Sequence, residues 1–195
     1  VRRIGSIYVR YSQDDSTEYC AWIYFTPKGK YEISFIATPE AQNTKGPRFC
    51  SLPQFVIDPR YVDDEVEPDK NIKYAIAIHT HPSPTVFTQE DIRYIVETEH
   101  RFQRIRHDNG RFRLGVVAFF SREERDTPAC DGFFEYSTAG DTIQIVTRSE
   151  NGEWQNRDYA KVGLKRVKET GKLEVTIDVL DVRAEGSSWS GGHAR

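Results

Sequence analysis

The sequence predicts an α+β fold, a mixed β-sheet flanked by helices. Three segments carry that reading. Residues 72–78 (IKYAIAI) form an unbroken apolar run, which burial on both faces explains and which is therefore placed as the central strand. From Thr88 the pattern turns helical, with Ile92, Ile95, Val96, Phe102 and Ile105 on one stripe and arginines and glutamates elsewhere. Residues 114–120 (LGVVAFF) then read as a second buried strand.

The remaining elements follow in chain order. Residues 3–11 alternate well enough for a short strand, and 12–17 are polar and acidic, as in a turn or helix cap. Residues 18–25 (EYCAWIYF) are strongly apolar and aromatic, Pro27, Lys28 and Gly29 break the run, and 31–37 (YEISFIA) is again β-rich. The pair reads as a hairpin. Residues 39–68 are irregular, with prolines at 39, 47, 53, 59 and 68 and an acidic cluster of Asp63, Asp64, Glu65 and Glu67. Irregular segments longer than ~15 residues are uncommon in compact domains and often functional, so the region near 39–70 is a candidate insertion or lid. Residues 82–87 form a loop, and Asn109-Gly110 ends the helix. Residues 133–136 and 142–147 flank Gly140-Asp141 as a terminal hairpin, 158–168 reads as a helix, and 173–182 (LEVTIDVLDV) as a late strand. The expected organisation is one domain over 1–184 and a disordered Gly/Ser-rich tail over 185–195. No internal repeat is visible.

Composition narrows the function. At 195 residues the chain has enough apolar material, 37%, for one core. Its 27 Lys+Arg oppose 30 Asp+Glu, a net charge of −3. Nucleic acid or an anionic membrane as the main partner is disfavoured, since both need a basic excess. No apolar run approaches the ~20 residues of a membrane span, and no signal peptide is visible at Val1. The absence of methionine and the valine start read as a mature fragment or an excised domain. Cys20, Cys50 and Cys130 are widely spaced and form no CxxC pair, which leaves a cysteine zinc knuckle unsupported. They permit one disulfide, but buried or idle thiols are the plainer reading.

The chemistry concentrates where the first buried run ends. His79 and His81 are separated by one residue, and residues two apart in a strand point to the same side, roughly 6.5–7 Å apart along the backbone. Two imidazoles so placed can converge on one metal. Pro82 ends the ladder, and Asp91 follows in the first turn of the helix, where a carboxylate can return to the histidine pair. His79, His81 and Asp91 would leave a fourth zinc position for water, as in a catalytic rather than a structural site. Each part has an ordinary explanation taken alone: strand histidines that are merely hydrogen-bonded, and Thr88-x-x-Asp91 as a capping box. The combination is what points to a metal.

His79-Thr80-His81-Pro82 followed by Thr88-Gln89-Glu90-Asp91 resembles the JAMM (MPN+) zinc metalloproteases, whose signature is an upstream glutamate, H-x-H-P, a loop and S-x-x-D. Glu18, 61 residues ahead of His79 and opening an apolar run, matches the glutamate. The resemblance covers about residues 16–148. It departs in a loop one residue shorter between His81 and Asp91 and in Thr88 where serine is usual. The form HTHP…F-T-x-x-D also resembles bacterial domains at the C-termini of polymorphic toxins.

The resemblance implies a JAMM/MPN-like (cytidine-deaminase-like) fold and a peptidase or isopeptidase, acting on a protein or peptide, with ubiquitin-like conjugates as one substrate class. Zinc would be held by His79, His81 and Asp91, Glu18 would carry the proton, and the Thr88 hydroxyl would donate to the developing oxyanion. Glu32, also on an early strand, is the competing glutamate, and a solvent-facing residue is its simpler reading. Two other readings stand beside this one: a non-catalytic MPN-like interaction module, and a toxin domain using the same site. The compartment implied is the cytoplasm, or export as part of a larger toxin. His100 and His107, among Arg101, Arg104, Arg106, Arg111 and Arg113, read as a solvated helix face, with an acid- or phosphate-binding patch as the alternative. His193 and Gly191-Gly192 lie in the tail and are given no role.

Overall fold

The computed structural model describes residues 18–37, 50, 52, 56, 60–61, 72–81, 85–106, 113–121 and 130–180, with 102–106 as backbone only. The expected strand 3–11, the turn 12–17, most of 39–70, the Asn109-Gly110 stop and the tail lie outside these residues.

Eight strands share one sheet: β1 (Cys20–Phe25), β2 (Tyr31–Ile33), β3 (Lys73–Thr80), β4 (Gly115–Phe120), β5 (Gly132–Ser137), β6 (Thr142–Arg148), β7 (Trp154–Arg166) and β8 (Leu173–Val179). Their order is β2-β1-β3-β4-β5-β6-β7-β8. The helix α1 (Gln89–Arg106) joins β3 to β4. Those two strands are parallel, and every other neighbouring pair is antiparallel. Parallel neighbours need a crossover connection, and α1 supplies it.

This corrects the expected architecture. A helix-flanked α+β fold, and the JAMM/MPN-like arrangement that the resemblance implies, require further helices. Among the described residues α1 is the single helix, and the rest of the regular structure is one eight-stranded sheet. The helix expected over 158–168 is instead part of β7, a 13-residue strand. Its apolar spacing, with Tyr159, Ala160, Val162 and Leu164 close together, fits either period. Pairing on both sides decides it: Lys161 faces Thr142 of β6 and Asp178 of β8. Gly163 is the local clue, since a Cβ there would meet the Thr176 Oγ1 at 2.4 Å. The hairpin of β5 and β6 is therefore not terminal, because β7 and β8 continue the sheet beyond it.

The strand expected to be central is β3, third in the sheet between β1 and β4. A bulge sets its facing. Ile23 pairs with Ile76 but Tyr24 with Tyr74, so Ala75 is an extra residue. One extra residue reverses the alternation, which puts Tyr74 on the same face as Ala77 and His79. Tyr74 and Ala77 are fully buried there, and Trp22 of β1 meets the Tyr74 ring edge-on at 5.1 Å.

The helix starts at a capping box. The Thr88 N–H donates to Asp91 Oδ2 at 2.7 Å, and the Asp91 N–H donates to Thr88 Oγ1 at 3.2 Å. Glu90 and Asp91 place acids in the first turn, as the helix dipole favours. Ile92 and Ile95 are fully buried, in line with the expected stripe. α1 packs on β4 and also reaches β8, where the Arg93 Nε donates to the Leu173 carbonyl at 3.0 Å. Because β8 is the last strand in the order, the sheet curls around the helix. One continuous core runs from Trp22 through Ile92 and Phe134 to Leu173 and Val175.

The irregular region is anchored at the points that are described. The Val56 N–H donates to the buried Tyr74 hydroxyl at 2.8 Å, and Leu52 and Tyr61 pack on the core. Cys50 is joined to Cys20 by a disulfide. This corrects the reading of idle thiols for two of the three cysteines, while Cys130 remains a free thiol. No helix among the described residues is long and apolar enough to cross a membrane.

Candidate metal centre

Strand pairing and the helix cap bring the expected residues together. His79 is held on both sides, opposite Cys20 of β1 and Ala118 of β4. His81 lies one residue past β3, and its N–H still donates to the Phe119 carbonyl at 2.8 Å. The two rings stack with centroids 4.7 Å apart, closer than the backbone spacing of alternate strand residues. Phe87 stands edge-on to both, at 5.8 and 6.2 Å, and is buried. The donor atoms of His79, His81 and Asp91 all lie within 4.8 Å of one another.

The hydrogen bonds assign the tautomers. His81 Nδ1 lies 2.6 Å from the Thr85 carbonyl oxygen. A carbonyl can only accept, so Nδ1 carries the proton and Nε2 keeps its lone pair. His79 Nε2 lies 2.9 Å from His81 Nε2, so His79 is the donor between them. Both imidazoles are strongly buried, at 7% and 5% exposure, and their charged forms are disfavoured. Burial lowers the His79 pKa to about 4, the neighbouring His81 adds to the effect, and Asp91 opposes it. Burial also lowers that of His81, against the Thr85 carbonyl and Asp91. Neutral imidazole is the form that binds metal.

Asp91 serves the cap and the cluster together. The Thr88 hydroxyl donates to Asp91 Oδ2 at 2.8 Å, and the Thr88 N–H bonds the same oxygen. Oδ1 thus carries no bond from the cap. The same cap orients the carboxylate beside the histidine pair, within 4.8 Å of their ring nitrogens.

Glu18 lies within electrostatic reach of Asp91. Its Oε2 accepts the Cys50 N–H at 3.3 Å. Its pKa is raised to about 7, chiefly by burial; the Cys50 N–H opposes the shift and the charge of Asp91 adds to it. The main chain beside it is stitched to the histidine strand: the Tyr19 N–H donates to Thr80 Oγ1 at 3.0 Å, and the Thr80 N–H to the Tyr19 carbonyl at 3.0 Å. Glu32 is elsewhere, ion-paired with Arg60 at the surface. On the helix, His100 is exposed, and Arg113 pairs with Glu99 at 3.1 Å instead of lining a patch. His107, Arg111, His193, Gly191 and Gly192 lie outside the described residues, as do the side chains of Arg104 and Arg106.

Zinc fits this donor set: two neutral imidazoles and a carboxylate, one imidazole fixed by a carbonyl behind it, the usual outer partner of a ligating histidine. Two ligands of one tetrahedral zinc stand ~3.3–3.6 Å apart at bond lengths of ~2.0–2.2 Å, so donor atoms spread over up to 4.8 Å close on the metal by about an ångström of side-chain adjustment. Sequence reasoning missed the backbone groups that hold His81 and Glu18. Thr85 acts on His81 through its carbonyl, which any residue would offer. Cys50 acts through its backbone N–H, which leaves no signature in the sequence.

No family model, curated protein or solved structure matches the chain.

Proposed function

We propose that this chain is a zinc-dependent hydrolase of peptide or isopeptide bonds, with His79, His81 and Asp91 as ligands and Glu18 as the proton carrier. The observation that carries the reading is the convergence of two buried neutral histidines and a capped aspartate beside a glutamate whose pKa is raised to about 7. Zinc held by His79, His81 and Asp91 would supply a water of lowered pKa and a Lewis acid for the scissile carbonyl. Glu18 would hold and move a proton at its carboxylate, taking it from the attacking water and giving it to the leaving amine, and a carboxyl that titrates near neutrality can do both. The Cys50 N–H holds one Glu18 oxygen and leaves the other for the proton. Thr88 orients Asp91; to assist the oxyanion, its hydroxyl must give up the bond to Asp91.

The local motif, HTHP with F-T-x-x-D, supports the JAMM-like reading of the chemistry, on a sheet with one described helix. The substrate is a protein or peptide, with ubiquitin-like conjugates as one class to try. The disulfide favours an oxidising compartment, and so supports the exported toxin-domain reading over a cytoplasmic one. The test is metal analysis of protein purified without added zinc, paired with a cleavage screen on ubiquitin-like conjugates and generic peptides. One zinc per chain with chelator-sensitive cleavage is expected. Zinc without cleavage would favour the non-catalytic module, and neither would remove the proposal.

A further inference from the structure

We propose that the Cys20–Cys50 disulfide is a redox-controlled positioning device for Glu18, and that the site is competent with the disulfide closed. The inference rests on the assignment of Glu18 as the proton carrier.

Cys50 holds this site in two ways. Its sulfur is bonded to Cys20, 30 residues away in sequence and two residues from Glu18, with the Cα atoms 6.0 Å apart. Its N–H donates to Glu18 Oε2 at 3.3 Å. Cys20 is buried and is the ladder partner of His79, so the crosslink is rooted in the strand pair that carries the site. The main chain of 19–20 is fixed without Cys50: Tyr19 is bonded to Thr80, and Cys20 pairs with Ala37 through bonds of 3.1 and 2.7 Å. The sheet therefore places the Glu18 backbone, and Cys50 restrains the carboxylate. A single amide–carboxylate bond contributes too little to close a connection of that length alone, so the covalent link keeps the amide in place. Val56 remains bonded to Tyr74 and Leu52 remains packed on the core, so loss of the crosslink releases residue 50 locally and leaves the fold standing.

The chemistry is an ordinary exchange. A dithiol reductant supplies two electrons and two protons, the S–S bond breaks, Cys20 and Cys50 become thiols, and the reductant closes to its own disulfide. Cys50 then withdraws its N–H, and the Glu18 carboxylate gains rotamers that face away from the reacting water. Histidine and aspartate ligation does not involve either sulfur, so metal content stays constant.

The experiment uses the full chain labelled with 15N-cysteine, which gives three cysteine amide signals. Closed protein, protein reduced with tris(carboxyethyl)phosphine (the oxygen of water ends on phosphorus and its protons on the thiols) and Cys50→Ser are compared, with zinc content measured in each. The closed and reduced forms are also examined with Glu18→Gln. In the closed form Glu18→Gln shifts the Cys50 amide, and in the reduced form it does not. Reduction lowers kcat by between about 10- and 100-fold with little change in KM, and it moves the acidic limb of kcat/KM. Cys50→Ser shows the same loss and no further response to the phosphine, and reoxidation with glutathione disulfide restores the wild type. An equal response of the Cys50 amide to Glu18→Gln in both redox states, or a kcat unchanged or raised by reduction, would overturn the proposal. Absence of turnover in every arm counts against the hydrolase reading itself, while the amide signals still decide whether the disulfide couples Cys50 to Glu18.

Discussion

His79 and His81 present their Nε2 atoms to one another at 2.9 Å, and the Thr85 carbonyl holds the far nitrogen of His81 at 2.6 Å. The His79 proton lies between the two Nε2 atoms. Under the proposed zinc reading that proton would have to leave Nε2 before both nitrogens could act as ligands, and the behaviour on metal removal is the first thing to test.

Each chain should hold one zinc. Alanine at either histidine should bring the content well below one equivalent, measured by elemental analysis after dialysis. Chelation should lower the melting temperature, because a ligand of the native state at 100 times its Kd contributes ~2.7 kcal/mol. Full occupancy in the double alanine variant would place the ligands elsewhere.

Glu18→Gln should keep its zinc and lose activity by roughly 10²–10⁴-fold, with the acidic limb of kcat/KM gone or displaced. Glu32→Gln, which alters only a surface ion pair with Arg60, is the control and should change activity little. Loss of turnover from Glu32→Gln alone would mean that the first hairpin is assigned one strand out.

The same glutamate should appear in the pH dependence of stability. Its folded pKa, about 7, lies above the ordinary 4.5, so the folded state holds its proton more tightly than the unfolded chain. Its contribution is fully present below 4.5 and is lost as pH rises through 7. His79, lowered from 6.5 to about 4, acts in the opposite sense, and its contribution is lost as pH falls from 6.5 toward 4. In metal-free protein Glu18→Gln should therefore gain on the wild type between pH 5 and pH 7.5, by about 1–2 kcal/mol after allowance for its partial exposure. Urea melts at the two pH values measure this, and a constant difference would show that Glu18 is not perturbed.

Gly163→Ala separates strand from helix at 154–166 by sign. In a helix the change should stabilise by ~1 kcal/mol. In β7 the new Cβ would lie 2.4 Å from Thr176 Oγ1, on a β-branched side chain with little room to turn. A loss of about 1–2 kcal/mol is expected, recovered in part by Thr176→Ala in the same chain.

Glu99 ties the helix to the sheet. It is 7% exposed, its Oε2 accepts the Leu114 N–H at 2.8 Å and the Thr138 hydroxyl, and Oε1 accepts from Arg113 at 3.1 Å. Glu99→Ala should cost ~2–4 kcal/mol, because it removes the buried acceptor shared by the Leu114 N–H, the Thr138 hydroxyl and Arg113, and leaves the Leu114 N–H only its longer bond to Thr138 Oγ1 at 3.1 Å. Arg113→Ala, at a half-exposed partner, should cost under ~1 kcal/mol. Equal costs would mean that the ion pair, not the backbone bond, matters.

The sequence by itself determined what is encoded within about ten residues. An unbroken apolar run predicted β3, and LGVVAFF predicted β4. Thr88 and Asp91 predicted the helix start, and the H-x-H spacing placed two imidazoles on one side. These depend on backbone period and capping, which are local. The tertiary structure decided what depends on register between distant segments. It drew 154–166 into the sheet, because its polar residues could stay exposed while Ala160 and Val162 faced the core and both edges found partners. It replaced the expected flanking helices with a sheet that curls around α1. It paired Cys20 with Cys50, and it set the Cys50 N–H against Glu18 and the Thr85 carbonyl against His81. Backbone groups are the same in every residue, so their partners are fixed only when the chain closes on itself.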